Sequence, residues 1–224
     1  MPTVAFDSDS VTIPGWVTDL DAFRRWLDSD PLPEKASAWF LGGEVWVDMS
    51  REQLFTHGDI KTEVAAVLHA LSKAAKSGRY WCNGLLLSNR AADLSGKPDG
   101  TFVSTDSFAA GRVQLIPGRE GGFVELAGTP DMVLEVISDS SETKDTVTLV
   151  DAYFAADIPE YWLVDARGAE IAFTVYARGP TEYERVADAG GWVRSGVFGR
   201  EFRLTRGTDP AGNPEFTLEV RPGS

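Results

Sequence analysis

Cysteine is all but missing from this chain: Cys82 stands alone. That excludes an intrachain disulfide framework and any cysteine-built zinc site. Histidine is nearly as scarce, with only His57 and His69, which leaves few routes to nucleophilic catalysis. There is no Gly-x-Ser-x-Gly elbow, no Walker loop and no Gly-x-Gly-x-x-Gly turn. No apolar run approaches the roughly 18–20 residues a membrane span needs; the longest, residues 132–137, is broken by Glu135. No membrane partner is expected. The first ten residues carry Asp7 and Asp9 and no basic residue, so they do not read as a secretory or transit peptide, and a cytoplasmic protein is expected. Positive charge is also in deficit. Lys and Arg number 21 against 34 Asp and Glu, a net charge of −13. Such a field repels nucleic acid at long range. A DNA-directed function therefore requires local basic patches or bound metal.

What is present suits an ordinary globular chain: 224 residues, 43% hydrophobic and 25% charged. One domain over 1–224 is expected, with a loose lead-in over 1–15, a core over 16–168 and a β extension over 169–224. Trp16, Leu20, Phe23 and Leu27 mark one face of a helix that Pro31 and Pro33 end. Residues 38–40 and 45–48 flank a Gly-Gly turn and read as a hairpin. Ser50 and Gln53 resemble a capping box opening a long helix, with a stripe of Leu54, Ile60, Val64, Val67, Leu68 and Leu71 and a stop at Gly78. Strands follow at 79–81, 85–88 and 99–103, then a helical turn at 105–110 and a strand at 123–126. Residues 131–138 and 160–165 look like strands buried on both faces. With the helical stretch 141–156 between them they form a βαβ unit with parallel strands and a right-handed crossover. The remainder alternates polar and apolar residues between Gly-rich turns. The class is α/β or α+β, a mixed sheet flanked by helices with an antiparallel β extension at the C-terminus.

Carboxylates are the residues with chemical promise. Glu135 sits in the middle of a strand that is otherwise apolar. Burying an unpaired carboxylate costs several kcal/mol, so the position needs a metal, a cation or a raised pKa. A structural ion pair with Arg or Lys is the plain alternative. Strand periodicity puts Asp131 on the same face as Glu135. Asp99, after Lys97-Pro98, reads alone as a turn residue, but with Glu135 it could share a hard, oxygen-liganded cation such as magnesium. His57 shares a helix face with Lys61, one turn on; a satisfied structural histidine competes with phosphate contact or proton transfer. Glu44 could project toward the same cleft or be solvated. His69 has no constellation.

Residues 130–138 (Pro-Asp-Met-Val-Leu-Glu-Val-Ile-Ser), then Lys144-Asp145, Tyr153 and 159–165 (Pro-Glu-Tyr-Trp-Leu-Val-Asp), resemble the Uma-two family of restriction endonucleases. Gly43-Glu44, His57 and Pro98-Asp99 match in the same order, and the resemblance covers roughly residues 20–170. That family belongs to the PD-(D/E)XK nuclease superfamily. The resemblance implies a restriction-endonuclease-like core and a magnesium-dependent (or manganese-dependent) endonuclease, a hydrolase of DNA. It implies Asp99 and Glu135 as metal ligands and the Val136 carbonyl as a third; His57 and a cation, Lys144 or Lys61, are the candidates beside them in the catalytic set. Many nucleases of this type work as homodimers. Where the superfamily motif places its lysine this chain has Ile137, and the family's alternative position on the next helix is Leu149. On an ideal helix Lys144 lies about 140° from that position. A second reading is therefore a catalytically impaired relative acting as a binding or assembly module. A third is a phosphodiesterase for a smaller substrate.

Overall fold

The computed structural model describes residues 11–29, 32, 36–48, 52–119 and 121–223. Most of the expected lead-in, the helix-stopping Pro31 and Pro33, and Ser50 of the expected capping box lie outside the described residues.

Asp19 opens α1 (Leu20–Ser29) by accepting the Ala22 N–H at 2.7 Å. Trp16 falls in the turn before that cap and is 50% exposed, so Leu20, Phe23 and Trp26 make the buried face instead. The hairpin of β1 (Ser37–Leu41) and β2 (Glu44–Asp48) forms as expected. Gly42 and Gly43 supply φ of 57° and 90°, the paired positive values of a tight two-residue turn. The long helix departs from the expectation at both ends. It begins as a π-helical turn, Leu54–Asp59, which Gln53 caps with its own side chain on the Thr56 N–H at 2.6 Å. It continues as α2 (Ile60–Ala75) and stops on Lys76 at φ 51°, not on Gly78. Gly78 opens β3 (Gly78–Cys82), where a Cβ would stand 2.2 Å from the Val103 carbonyl. Ile60, Val64 and Leu68 face the core, whereas Leu54 is 75% exposed because the wider first turn rotates it outward.

Next come β4 (Leu86–Asn89), β5 (Leu94–Gly96), β6 (Gly100–Ser104), α3 (Thr105–Ala109), β7 (Val113–Pro117), β8 (Phe123–Gly128) and β9 (Met132–Val136). A second π-helical turn, Lys144–Thr148, leads into α4 (Leu149–Ala155), and β10 (Glu160–Asp165) follows. The C-terminal strands are β11 (Ala172–Arg178), β12 (Tyr183–Arg185), β13 (Asp188–Ala189), β14 (Trp192–Ser195), β15 (Arg200–Thr208) and β16 (Pro214–Pro222). The pattern reading overlooked β5 and β7. β5 is three residues long with a Ser-Gly end, and β7 runs into a Gly-rich loop.

The strands form two mixed sheets and, at the C-terminus, the expected antiparallel extension as a third sheet. The first runs β2-β1-β5-β4-β8-β7, the second β12-β11-β10-β9-β6-β3, and the third β13-β14-β15-β16. β9 and β10 pair in parallel, joined through the helical crossover, as expected from their apolar runs. Side-chain alternation along β9 divides the core. Met132, Leu134 and Val136 meet α2 and the third sheet, while Val133 and Ile137 meet α4 and the first sheet. α1 covers β1 through Phe23, Trp26 and Phe40. Glu135 falls on the α4 side of this division, among Leu149, Tyr153 and Leu163. Among the described residues no helix is long and apolar enough to cross a membrane.

Candidate active site

The antiparallel register of β6 on β9 places Gly100 opposite Leu134 and Thr101 opposite Val133. Continued by one step it sets Asp99, just before β6, across from Glu135. The Val136 N–H donates to Asp99 Oδ2 at 2.8 Å and locks that alignment. Two carboxylates from separate strands thus share one end of the second sheet, at the carboxyl end of β9. They open into a cleft of about 580 Å³ whose walls include His57, Lys61, Lys97, Lys144 and Asp145. Five of the residues singled out in the sequence, Asp99, Glu135, His57, Lys61 and Lys144, therefore meet in one cavity with Val136.

Glu135 is 3% exposed, and burial pushes its carboxyl well above the usual range despite the positive charge of Lys144. The Tyr153 hydroxyl donates to its Oε1 at 2.5 Å. Burial, together with the negative charge of Glu135, raises the phenol too, so Tyr153 stays a donor. Burial acts to raise Asp99 as well, but His57, Lys61 and the Val136 N–H outweigh it and hold its carboxyl below the usual range. His57 Nε2 is 3.5 Å from Asp99 Oδ2, and Lys61 Nζ is 3.4 Å from Oδ1. Burial disfavours the charged imidazole, yet the Asp99 carboxylate wins and the His57 pKa is raised.

Lys144, a catalytic candidate although ideal helical spacing sets it on a different face from the family position at Leu149, occupies the cleft. The turn that carries it is π-helical, with the Leu149 N–H donating to the Lys144 carbonyl. Such an i→i+5 turn closes over one residue more than the α-helical i→i+4 turn. The spacing of 100° per residue fails there, and Lys144 swings over the cleft while Leu149 is fully buried in the core. Its Nζ is 2.5 Å from Asp145 Oδ1 and lies 4.5 Å above the Trp39 ring. Burial works against its charge, but Glu135 and Asp145 raise its pKa.

Three contributors carried no assigned role in the sequence reading. Asp145, 1% exposed, holds Lys144 and accepts from Ser141 Oγ at 2.5 Å; burial raises its carboxyl. Tyr153 lies one turn into α4. Both stand in the residue blocks quoted for the family resemblance, which was the available signal. Glu52 had none: it reaches His57 Nδ1 at 2.8 Å and also bonds Lys61. Its five-residue offset from His57 matches the π-helical turn, whose Gly58 N–H donates to the Gln53 carbonyl.

Other candidates lie elsewhere. Asp131 accepts the Ser104 N–H and the Ser107 hydroxyl, each at 2.7 Å, and fastens the start of α3. That engagement removes it from the Glu135 cluster despite the shared strand face. Glu44 is exposed at the hairpin, and His69 is exposed on α2. Among the described residues no group of three or more His, Cys, Asp or Glu side chains converges as a ready-made metal cage.

The second sheet, mixed and covered by helices, thus carries an acidic cleft at its strand ends. A solved structure described as a putative nuclease belonging to DUF820, from Anabaena variabilis, superposes with a TM-score of 0.58 and 18% identity. The match covers 80% of this chain and 90% of that one, and it establishes the fold. The model of the Uma2 family, described as putative restriction endonuclease, matches residues 20–221. The chain belongs to that family. No curated protein matches it.

Proposed function

We propose that this protein is a cytoplasmic endonuclease that hydrolyses phosphodiester bonds in DNA with a divalent ion held at Asp99 and Glu135. The observation that carries the reading is the register that sets these carboxylates side by side, with Lys61, Lys97 and Lys144 in the same cavity. The donor set suits magnesium or manganese. These are hard ions, usually held by one or two carboxylates with water and substrate oxygens completing the shell. Glu135, buried with a raised pKa, is a carboxyl that gains from such a charge. The Val136 carbonyl is the third protein ligand in this reading. A bound ion of this kind lowers the pKa of water and offsets charge in the transition state.

The chain's own residues supply the rest. Asp99 is held ionised and in place by His57, Lys61 and the Val136 N–H. Tyr153 fixes the rotamer of Glu135 from behind. Lys144, kept charged by Asp145, stands where the family's lysine is needed although the family position is Leu149, and it stabilises negative charge on the phosphate. His57, between Glu52 and Asp99, lies on the α2 side of the ion, where the Asp99 carboxylate favours its charged form. The shared core of Trp162, Phe202 and Leu218 supports treating the third sheet as part of the same domain.

Supercoiled plasmid incubated with magnesium or with chelator tests the proposal. Cleavage is expected only with metal, abolished in Glu135→Gln and slowed at least tenfold in Lys144→Ala or Lys61→Ala. Unaltered cleavage in both lysine variants would mean that metal alone activates the water. A net charge of −13 favours one rival, a binding or assembly module. Failure of the parent to cut supercoiled, linear or single-stranded DNA with either ion would favour that rival instead.

A further inference from the structure

The DNA reading still faces the repulsion of a chain at −13. The cleft does little to relieve it. His57, Lys61 and Lys144 are each matched by Glu52, Asp99, Glu135 or Asp145, so apart from Lys97 at its edge the site offers a polyanion little net attraction.

A second and larger cavity, about 770 Å³, lies between α1 and the β7–β8 hairpin. It holds five of the chain's 21 basic residues: Arg24, Arg25, Arg90, Lys97 and Arg119. Among the described residues only Asp21, Asp28 and Glu125 oppose them on its walls. The sign of the local charge is thus the reverse of the whole chain's. The cations also differ in how they are tied. Arg24 is fixed by the buried Glu125, with Nε 2.9 Å from Oε1, and Glu125 accepts the Ser88 hydroxyl as well. That pair is a rigid floor. Arg90 with Asp21 and Arg119 with Asp28 are exposed pairs, worth little in water and free to exchange for another anion. Arg25 and Lys97 are exposed and make no ion pair among the described residues.

The two cavities are neighbours. Ala36, Gly84 and Lys97 line both. Lys97 stands two residues before Asp99, and Gly84, at φ 72°, puts no side chain into the divide. A chain of phosphates leaving the carboxylates would pass Lys97 first and then reach Arg25, Arg90 and Arg119.

We infer that this second cavity is the track for the phosphate backbone of a polynucleotide, continuous with the catalytic cleft through Lys97. The inference rests on the nuclease reading for its substrate class, but not on cleavage. Each phosphate neutralised by Lys or Arg releases condensed counterions, so affinity should fall steeply with salt.

Fluorescence anisotropy with a labelled duplex of about 20 base pairs, in chelator and at several salt concentrations, tests it without turnover. Arg25→Glu combined with Arg119→Glu should weaken binding at least tenfold and lower the salt slope by about two. The control pair Arg79→Glu with Arg185→Glu changes the net charge equally on exposed strands that line neither cavity. It should shift affinity by less than about threefold, as a long-range charge effect would. Equal losses in the two pairs, or no binding by the parent protein, would overturn the track. A parent that binds but never cuts DNA, with binding lost in Arg25→Glu/Arg119→Glu, would keep the track and remove the nuclease. A parent that cuts DNA while both pairs bind like it would do the reverse.

Discussion

Replacing Lys144 by methionine isolates the charge that holds the cleft together, since the side chain keeps most of its length. Lys144 is the cation beside Asp145, 1% exposed, and Glu135, 3% exposed. Without it, one more carboxyl must either stay charged in apolar surroundings or take up a proton. Protonation sets the ceiling on the cost. An ordinary carboxyl titrates near pH 4, and each pH unit above that point adds about 1.4 kcal/mol, so holding one neutral at pH 7 costs about 4 kcal/mol. At pH 5 the same operation costs about 1 kcal/mol. Lys144→Met should therefore destabilise the metal-free protein by about 2–4 kcal/mol at pH 7 and by about 1 kcal/mol at pH 5. The sign follows from linkage. A carboxyl whose folded pKa is raised binds more protons folded than unfolded, so stability falls as pH climbs above the ordinary carboxylate range. Guanidinium denaturation in chelator, read by tryptophan fluorescence at the two pH values, gives the numbers. An equal deficit at both would refute the electrostatic argument. It would point instead to the lost contact of the Lys144 ammonium group with the Trp39 ring, which is the same at both pH values.

The His57–Asp99 pair predicts a second pH effect. Because the His57 pKa is raised, its contribution is complete below the ordinary value of about 6.5 and is lost as pH rises through the folded value. Asp99→Asn should thus cost more stability at pH 6 than at pH 9, and should lower the His57 midpoint in an NMR titration where only His69 gives a second signal; an unmoved midpoint would sink the pairing. Glu160, 3% exposed, accepts from Trp162 Nε1 at 2.9 Å, Ser195 Oγ at 2.7 Å and the Val197 N–H at 2.9 Å. Glu160→Ala should cost about 2–5 kcal/mol, since two buried N–H donors lose their acceptor. A thermal midpoint within a degree or so of the parent's would show that water replaces the carboxylate.

Strands β9 and β10 and their parallel pairing were legible in the residues because both are buried on two faces. Burial of that kind writes a continuous apolar run, and Glu135 stands out within it as the one group that burial penalises. The hairpin was legible through Gly42-Gly43 for a similar reason: only glycine takes two positive φ values cheaply. The composition of the cleft was legible in part, since the family resemblance named Asp99, Glu135, His57 and Lys144 as its members. Their arrangement was not. Lys144 reaches the cleft, and Glu52 reaches His57, because two helices begin with π-helical turns. Ideal helical periodicity makes no provision for such a turn. The basic cavity was equally hidden. Arg24, Arg25, Arg90, Lys97 and Arg119 are scattered over about a hundred residues whose surroundings are acidic. Local charge counts read such a chain as repelling DNA. Packing α1 and a β-hairpin around one cavity concentrates the scattered charges, because electrostatic attraction depends on distance in space and not on separation along the chain.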